Sequence, residues 1–438
     1  MKTEHKQIIR SLFARLPEFT YEHPLYGKFF SGYGTGLFTC ECYFDAILLY
    51  LSGYDTRGTI AEDLLRLLLN LQDAQTGHIP RHTVDLVDDP NKLAVKGWSS
   101  QSVFVDGRQV NPWTWYEAEE HAQPFLWQIA ALVCRLRGGD ADWMRDVVYE
   151  GLKKYLEHWL LRWDRMGDGL CVVASAQHGL SDNSFPRAGT WRSYYAQIPD
   201  FNALLYTECK CAAKIANALG KAEDSAWFER QAEIKKVRVN ELLWDDEAGC
   251  YFPRDIRTGK LIKVDAINHY MTLYAGVVPP ERADRMVREH LFDPRKFYTR
   301  YPFSSYAQDE KTYTQTHVND TILLDDYVML PKEHCNWRGG VWAHPHYMIT
   351  LALKRFGYEA EARDVADKVF ELTIDNPYVC EWHNAETGEM QGAEIFAGVQ
   401  ILERLMPSIL QAGFDIDFAN DALDAPLDNS GVLKLLEA

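Results

Sequence analysis

Three things this chain lacks narrow what it can be. It has no run of about 18 apolar residues, so no segment reads as a membrane-spanning helix. It has no basic block, and 46 Lys and Arg against 63 Asp and Glu leave a formal charge of −17. A surface of that sign has nothing to neutralise the phosphates of nucleic acid or of an anionic membrane, so neither is an expected partner. It also has no cysteine framework: the nine cysteines are odd in number, and Cys40/Cys42 and Cys209/Cys211 are spaced for neither a disulfide scaffold nor a zinc ribbon. The amino terminus, Met1-Lys2-Thr3-Glu4-His5-Lys6-Gln7, runs into an amphipathic segment and not a secretory signal. A reduced, cytoplasmic protein is expected.

Two further absences bear on the fold. No linker rich in Pro, Gly or Ser divides the chain, and strand-type alternation is scarce. Helical periodicity fills the space instead. Leu64, Leu65, Leu68 and Leu71 form one stripe within 61–73, and Val148, Leu152, Tyr155, Leu156, Trp159 and Trp163 form another within 146–163. A third segment, 202–219, ends at Gly220, a C-terminal stop. Similar patterns recur near 38–52, 122–137, 223–243, 280–291, 342–356, 358–373 and 394–407. About a dozen helices in one undivided chain must bury their apolar faces on each other. The economical closure is an all-α ring of helix pairs, an (α/α)6 barrel over residues 1–412 with long loops as a funnel. Residues 413–438, with Asp415, Asp417, Asp421, Asp424 and Asp428, read as an acidic C-terminal tail.

What stands in the irregular segments points to chemistry. Asp182 lies in Gly179-Leu180-Ser181-Asp182-Asn183-Ser184-Phe185-Pro186-Arg187, and Glu381 in Cys380-Glu381-Trp382-His383-Asn384. Neither follows an amphipathic pattern, so neither reads as a solvated face charge. Between them Asn336-Trp337-Arg338-Gly339-Gly340-Val341-Trp342 sets aromatics around an arginine. Two acids with Trp and Arg are what holding a sugar and breaking its glycosidic bond requires: one acid protonates the leaving oxygen, and the other activates water or attacks. Trp337 and Trp342 offer flat faces for a pyranose, and Arg338 offers five fixed donors. No metal or other cofactor is expected. His344 and His346 fall on opposite sides of an extended segment with no third ligand, and Asp164–Gly169 lacks the third ligand position of a calcium loop.

The motifs in order resemble the bacterial members of glycoside hydrolase family 63 and the related mannosylglycerate and glucosylglycerate hydrolases, in a clan shared with the family 37 trehalases. They are Leu37-Phe38 with Phe44-Asp45, Asn70-Leu71-Gln72 with Gly77-His78-Ile79-Pro80, Gln123-Pro124, Ser181 to Ser184 with Arg187, Phe201 to Tyr206, Leu243-Trp244-Asp245, Trp337 to Trp342, and Glu381 to Ala393. The resemblance implies an (α/α)6 barrel and an inverting α-glycosidase with Asp182 as general acid and Glu381 as general base. It also implies that Asp45, Gln123, Arg338 and Trp342 contact the sugar, with Phe44, Asn183, Arg187, Trp337, His344 and Trp382 lining the same pocket. The sequence departs from the family's pattern at Phe44 (Trp in the family), Gly340 (Pro) and Trp382-His383 (Tyr or Asn-Tyr), and Ala343-His344-Pro345-His346 replaces an Asn-containing stretch. These changes bear on substrate more than on reaction.

An exo-acting hydrolase of a small α-glucoside or α-mannoside is therefore expected, its pocket walled by loops around 78–82, 111–116 and 301–307. A glucosylglycerate or mannosylglycerate hydrolase is the alternative within the class, with Arg81, Arg187, His78 and His344 available to a carboxylate. A sugar isomerase or epimerase favours paired histidines, and a non-catalytic sugar-binding protein predicts loss of one acid; both acids are present.

Overall fold

The computed structural model describes residues 3–32, 37–83, 103–105, 108–110, 121–173, 196–311, 313–315, 322–324, 327–329, 337–374, 380–392 and 398–437. Its α-helices are α1 (Thr3–Ala14), α2 (Thr39–Leu51), α3 (Thr59–Asn70), α4 (Leu126–Leu136), α5 (Val147–Glu157), α6 (Pro199–Ala218), α7 (Ala222–Leu242), α8 (Met271–Ala275), α9 (Pro280–Met286), α10 (Ala343–Arg355), α11 (Glu359–Ile374), α12 (Val399–Arg404), α13 (Met406–Ala412) and α14 (Ser430–Glu437). Strands occur only as short two-stranded antiparallel ribbons among the described residues.

Burial alternates from α2 to α9. Every residue of α2, α8 and α12 is buried, as is nearly all of α4 and α10. The long helix α7 buries only Phe228, Ala232, Lys235 and Val239, and α9 only Ala283 and Met286. The sequences dictate this. Cys42-Tyr43-Phe44 and Ala46-Ile47-Leu48-Leu49-Tyr50-Leu51 in α2 are apolar all round, whereas α7 carries charge on most of its circumference. A helix apolar on every side needs neighbours on every side, and the even-numbered helices supply them to each other. α2 packs on α4, α4 on α6, α6 on α8, α8 on α10, α10 on α12, and α12 back on α2. Six inner helices close a ring, and the odd-numbered helices α3 to α13 carry the chain back outside it. This is the (α/α)6 barrel.

The ring is plugged by aromatics and not hollow. Tyr43 of α2 and Tyr274 of α8, on opposite sides, share a hydrogen bond of 2.5 Å between their hydroxyls. Tyr43 stacks on Phe125 at 4.7 Å, and Phe44 meets Tyr347 edge-on at 5.9 Å. Because an outer helix returns the chain between successive inner ones, the inner helices run the same way. Their N-termini share one end of the barrel, and the segments that lead into them form its mouth.

The acidic stretch lies against the opposite end. Asp415 pairs with Arg355 at the end of α10 (2.6 Å), and Asp421 with Arg135 at the end of α4 (2.6 Å). Lys214 of α6 donates to the carbonyls of Phe418 and Asp421, and α14 packs on α13 and α1. The cations sit towards helix C-termini, where the macrodipole favours them. Asp415→Asn leaves the Arg355 guanidinium half-paired in a nearly buried place. We expect a loss of about 2–3 kcal/mol, at the low side of what breaking a buried pair costs. It should be read as a lower thermal midpoint with turnover unchanged; an unaltered midpoint would mean the stretch is not fastened there.

Candidate active site

Two residues of the first α2 turns, Glu41 and Asp45, open the mouth. Thr39 beside them donates from Oγ1 to Gln123 Oε1 (2.9 Å) and accepts from the Gln123 amide (3.3 Å), tying the start of α2 to the segment before α4. The Tyr155 hydroxyl donates to the Gln123 carbonyl at 2.6 Å and fixes that backbone from the outer layer. Pro80 pairs with His121, which places the 78–82 segment against the same edge.

The turn before α10 is held on three sides. The Gly339 amide donates to Ser305 Oγ (2.8 Å), the Ser305 amide to the Gly340 carbonyl (2.9 Å), and the Thr314 amide to the Arg338 carbonyl (2.9 Å). Val341 and His383 exchange both backbone hydrogen bonds (2.8 and 3.1 Å), so the turn carries the Glu381 segment as its neighbour. Trp337 and Trp342 stack at 3.9 Å with their planes 12° apart, and with Trp382 they form an apolar cluster separate from the main core. A Cβ on Gly340 would lie 2.2 Å from the Trp382 ring, so the glycine is what admits that indole.

Helix α12 joins these parts. Gln400 donates to the Glu381 carbonyl at 3.2 Å. Gly398 (φ 83°) passes so near Asp45 that an added Cβ would sit 2.0 Å from its Oδ1. Gly392 (φ 76°) does the same to Glu381, 2.4 Å from Oε2. Both glycines combine a left-handed backbone with a close approach that any side chain would block. The mouth thus brings together Asp45, Gln123, Trp337, Arg338, Trp342, His344, Glu381 and Trp382. Phe44 lies just below, wholly buried against Tyr43, Phe125, His344 and Tyr347. Asp182, Asn183 and Arg187 fall outside the described residues, and so does the separation of the two acids.

The polar groups at this mouth are buried and unevenly satisfied. Asp45 Oδ1, Arg338 Nε and Nη1, and the indole nitrogens of Trp342 and Trp382 have no hydrogen-bond partner among the described residues. Burial, and then the neighbouring Glu41, hold the Asp45 carboxyl well above its usual range. Buried polar groups without a partner cost free energy. Acceptors and donors left open together are what a polyhydroxyl ligand completes.

Asp200 is a site neighbour that sequence reasoning passed over. It sits in the first turn of α6, where an acid reads as a dipole charge, yet burial pushes it up to about 7. Asn268 donates to its Oδ1 at 3.3 Å, and its Oδ2 is without a partner among the described residues. The segment Ile267–Tyr270 that supplies Asn268 is bonded through Ser305 to the Gly340 turn.

Among the described residues one group has metal-ligand composition and proximity: Cys250, Asp265 and His290. Asp265 already accepts from His290 Nδ1 (2.7 Å), Lys296 Nζ (2.9 Å) and the Tyr270 hydroxyl (2.8 Å). The Lys296 ammonium stands where a cation would, and we read the group as a buried ion network. Asp164 accepts from the amides of Asp168 and Gly169, as a turn residue does.

Two outcomes are expected. Gly392→Ala and Gly398→Ala should each lower kcat/KM by at least ~10²-fold in folded protein, since each displaces a carboxylate at the mouth; near-normal kinetics would remove Glu381 or Asp45 from the site. The second concerns pH. Asp200 (about 7), Glu208 (about 8) and Glu403 (about 8) hold protons in the fold that the unfolded chain has released, so each lowers stability as pH rises towards those values. His269 (about 4), His346 (about 3) and His383 (about 4) are buried neutral, so each lowers stability as pH falls below 6.5. The trends oppose below pH 6.5, and above it only the acids act. The thermal midpoint should fall between pH 6.5 and 8; a rise would contradict these assignments.

Comparison with known proteins gives this geometry its family. The model of the mannosylglycerate hydrolase MGH1-like glycoside hydrolase domain matches residues 45–397. A mannosylglycerate hydrolase of Rubrobacter radiotolerans is 28% identical over 200 residues, 45% of this chain and 40% of that protein. A cytosolic neutral trehalase of Kluyveromyces lactis is 24% identical over 351 residues, 64% of this chain and 44% of that protein. The matches thus span less than half the length of these curated relatives. The solved family 63 mannosylglycerate hydrolase of Thermus thermophilus, in complex with glucose, superposes with a TM-score of 0.67 at 16% identity, over 90% of this chain and 98% of that one. It shares the fold. The chain belongs to the family of the mannosylglycerate hydrolase MGH1-like glycoside hydrolase domain.

Proposed function

We propose that the chain is an inverting, exo-acting α-glycosidase of the cytoplasm that hydrolyses a small α-glucoside or α-mannoside. Asp182 serves as general acid and Glu381 as general base. The observation that carries this is the placement of Glu381: it is bonded through α12 and the Gly340 turn to the same mouth at which Asp45 and Arg338 keep open polar atoms among the described residues. In this reading Asp45 and Arg338 grip the sugar hydroxyls, the tryptophans wall the ring, and Glu381 takes a proton from water as the water attacks the anomeric carbon. Asp182 delivers the proton that the departing oxygen needs. Each step uses only this chain's carboxyls.

A glycosylglycerate is the second reading of the same reaction. Its support is the Rubrobacter relative and a Thermus thermophilus mannosylglycerate hydrolase solved with Tris and D-glycerate. A cationic or hydroxyl-rich aglycone side would distinguish it, and Arg81 and His344, both buried, are on hand.

Assay of aryl α-glucoside, aryl α-mannoside, trehalose, glucosylglycerate and mannosylglycerate tests both readings. Asp182→Asn and Glu381→Gln should each cut turnover on the preferred substrate by ~10²–10⁴-fold with the fold intact. If Glu381→Gln kept near-normal turnover, the base would pass to Glu386 or Glu394. Absence of hydrolysis across the panel would reject the glycosidase reading.

A further inference from the structure

Glu41 has no role in the reading above, yet it occupies a costly place. It lies in the first turn of α2, is 7% exposed, and precedes Asp45 by one helical turn on the same face. Its Oε1 accepts a hydrogen bond from His344 Nε2. His344 belongs to α10, which is separated from α2 in the ring by α12, so the pair spans the mouth. The His344 ring is set edge-on against Phe44 at 5.1 Å and lies 6.2 and 6.3 Å from Trp337 and Trp342. The other carboxylate oxygen, Oε2, is buried and has no partner among the described residues.

A purely structural account does not balance. An acid in the first turn of a helix gains only modestly from the macrodipole, whereas a buried carboxyl oxygen left without a partner forfeits its hydration with nothing in return. Its neighbours Cys42, Tyr43 and Phe44 show that this stretch of α2 is otherwise filled with uncharged side chains. Asp45 Oδ1 is open in the same way. Two adjacent ionisable acceptors, one turn apart and each with a buried oxygen unpartnered among the described residues, suit a pair of neighbouring hydroxyls.

We propose that Glu41 is a second sugar-binding carboxylate of this site. Its Oε1 holds His344 in place, and its Oε2 accepts a hydroxyl of the glycone beside Asp45. The ligand class is a pyranose with adjacent free hydroxyls. The assignment rests on the glycosidase reading for its kinetic test but not for its binding test.

The experiment compares parent, Glu41→Gln, His344→Gln and the double variant. Kinetics would use aryl α-glycosides and their monodeoxy analogues, and isothermal titration would use 1-deoxynojirimycin, an iminosugar. Glu41→Gln should raise KM at least 10-fold with the thermal midpoint equal or higher. It should also become insensitive to loss of one ring hydroxyl that costs the parent at least 10-fold. The double variant should be no worse than Glu41→Gln alone, because one group acts through the other. Unchanged KM, or equal sensitivity to every deoxy analogue in parent and variant, would overturn the proposal. If the parent hydrolyses no glycoside, the glycosidase reading fails by itself and the titration decides. A 10-fold weaker iminosugar affinity in Glu41→Gln supports the proposal, and equal affinity or no binding in either protein ends it.

Discussion

The contact of α12 with α2 closes the inner ring, and the arrangement at its mouth depends on that closure. α12 carries Gly398 against Asp45 and Gln400 against the Glu381 carbonyl, so one short helix positions two carboxylates supplied from opposite ends of the chain. It can do so because all six of its residues are buried and it is clamped on both sides, by α10 and by α2. Six inner helices running one way also aim six N-terminal dipoles at one end, which favours negative charge there. The same device works in reverse at the other end, where Arg135 and Arg355 meet the acidic stretch.

The family departures at the mouth come in coupled sets, and packing explains why. Gly340 leaves the space that the Trp382 ring fills, so the glycine and the tryptophan form one change. Phe44 and His344 touch edge-on, and His344 in turn engages Glu41, which makes a second set. Each set exchanges volume or charge across two helices or segments that are distant in sequence. The Val341–His383 pairing that fixes the Glu381 segment is made by backbone and not by these side chains.

The barrel was legible because inner and outer helices differ in how much of their circumference is apolar. The 61–73 stripe is α3, and the 342–356 pattern is α10, within a few residues. α8 escaped notice: five residues buried on every side give no periodic contrast. The stretch 394–407 read as one helix, but Pro407 opens a second, α13, directly after Leu405. At the site, residue chemistry announced Glu381, Arg338 and the tryptophans. Gly392, Gly398, Glu41 and Asp200 did not announce themselves, because their roles lie in close approaches between segments far apart along the chain.

The account turns on Glu381 activating water and not forming a bond to the sugar. Proton NMR of the first-formed product during hydrolysis of an α-glycoside tests that most directly. Inversion predicts that the β-anomer appears first and mutarotates afterwards. Initial release of the α-anomer would contradict the account and make Glu381 a nucleophile.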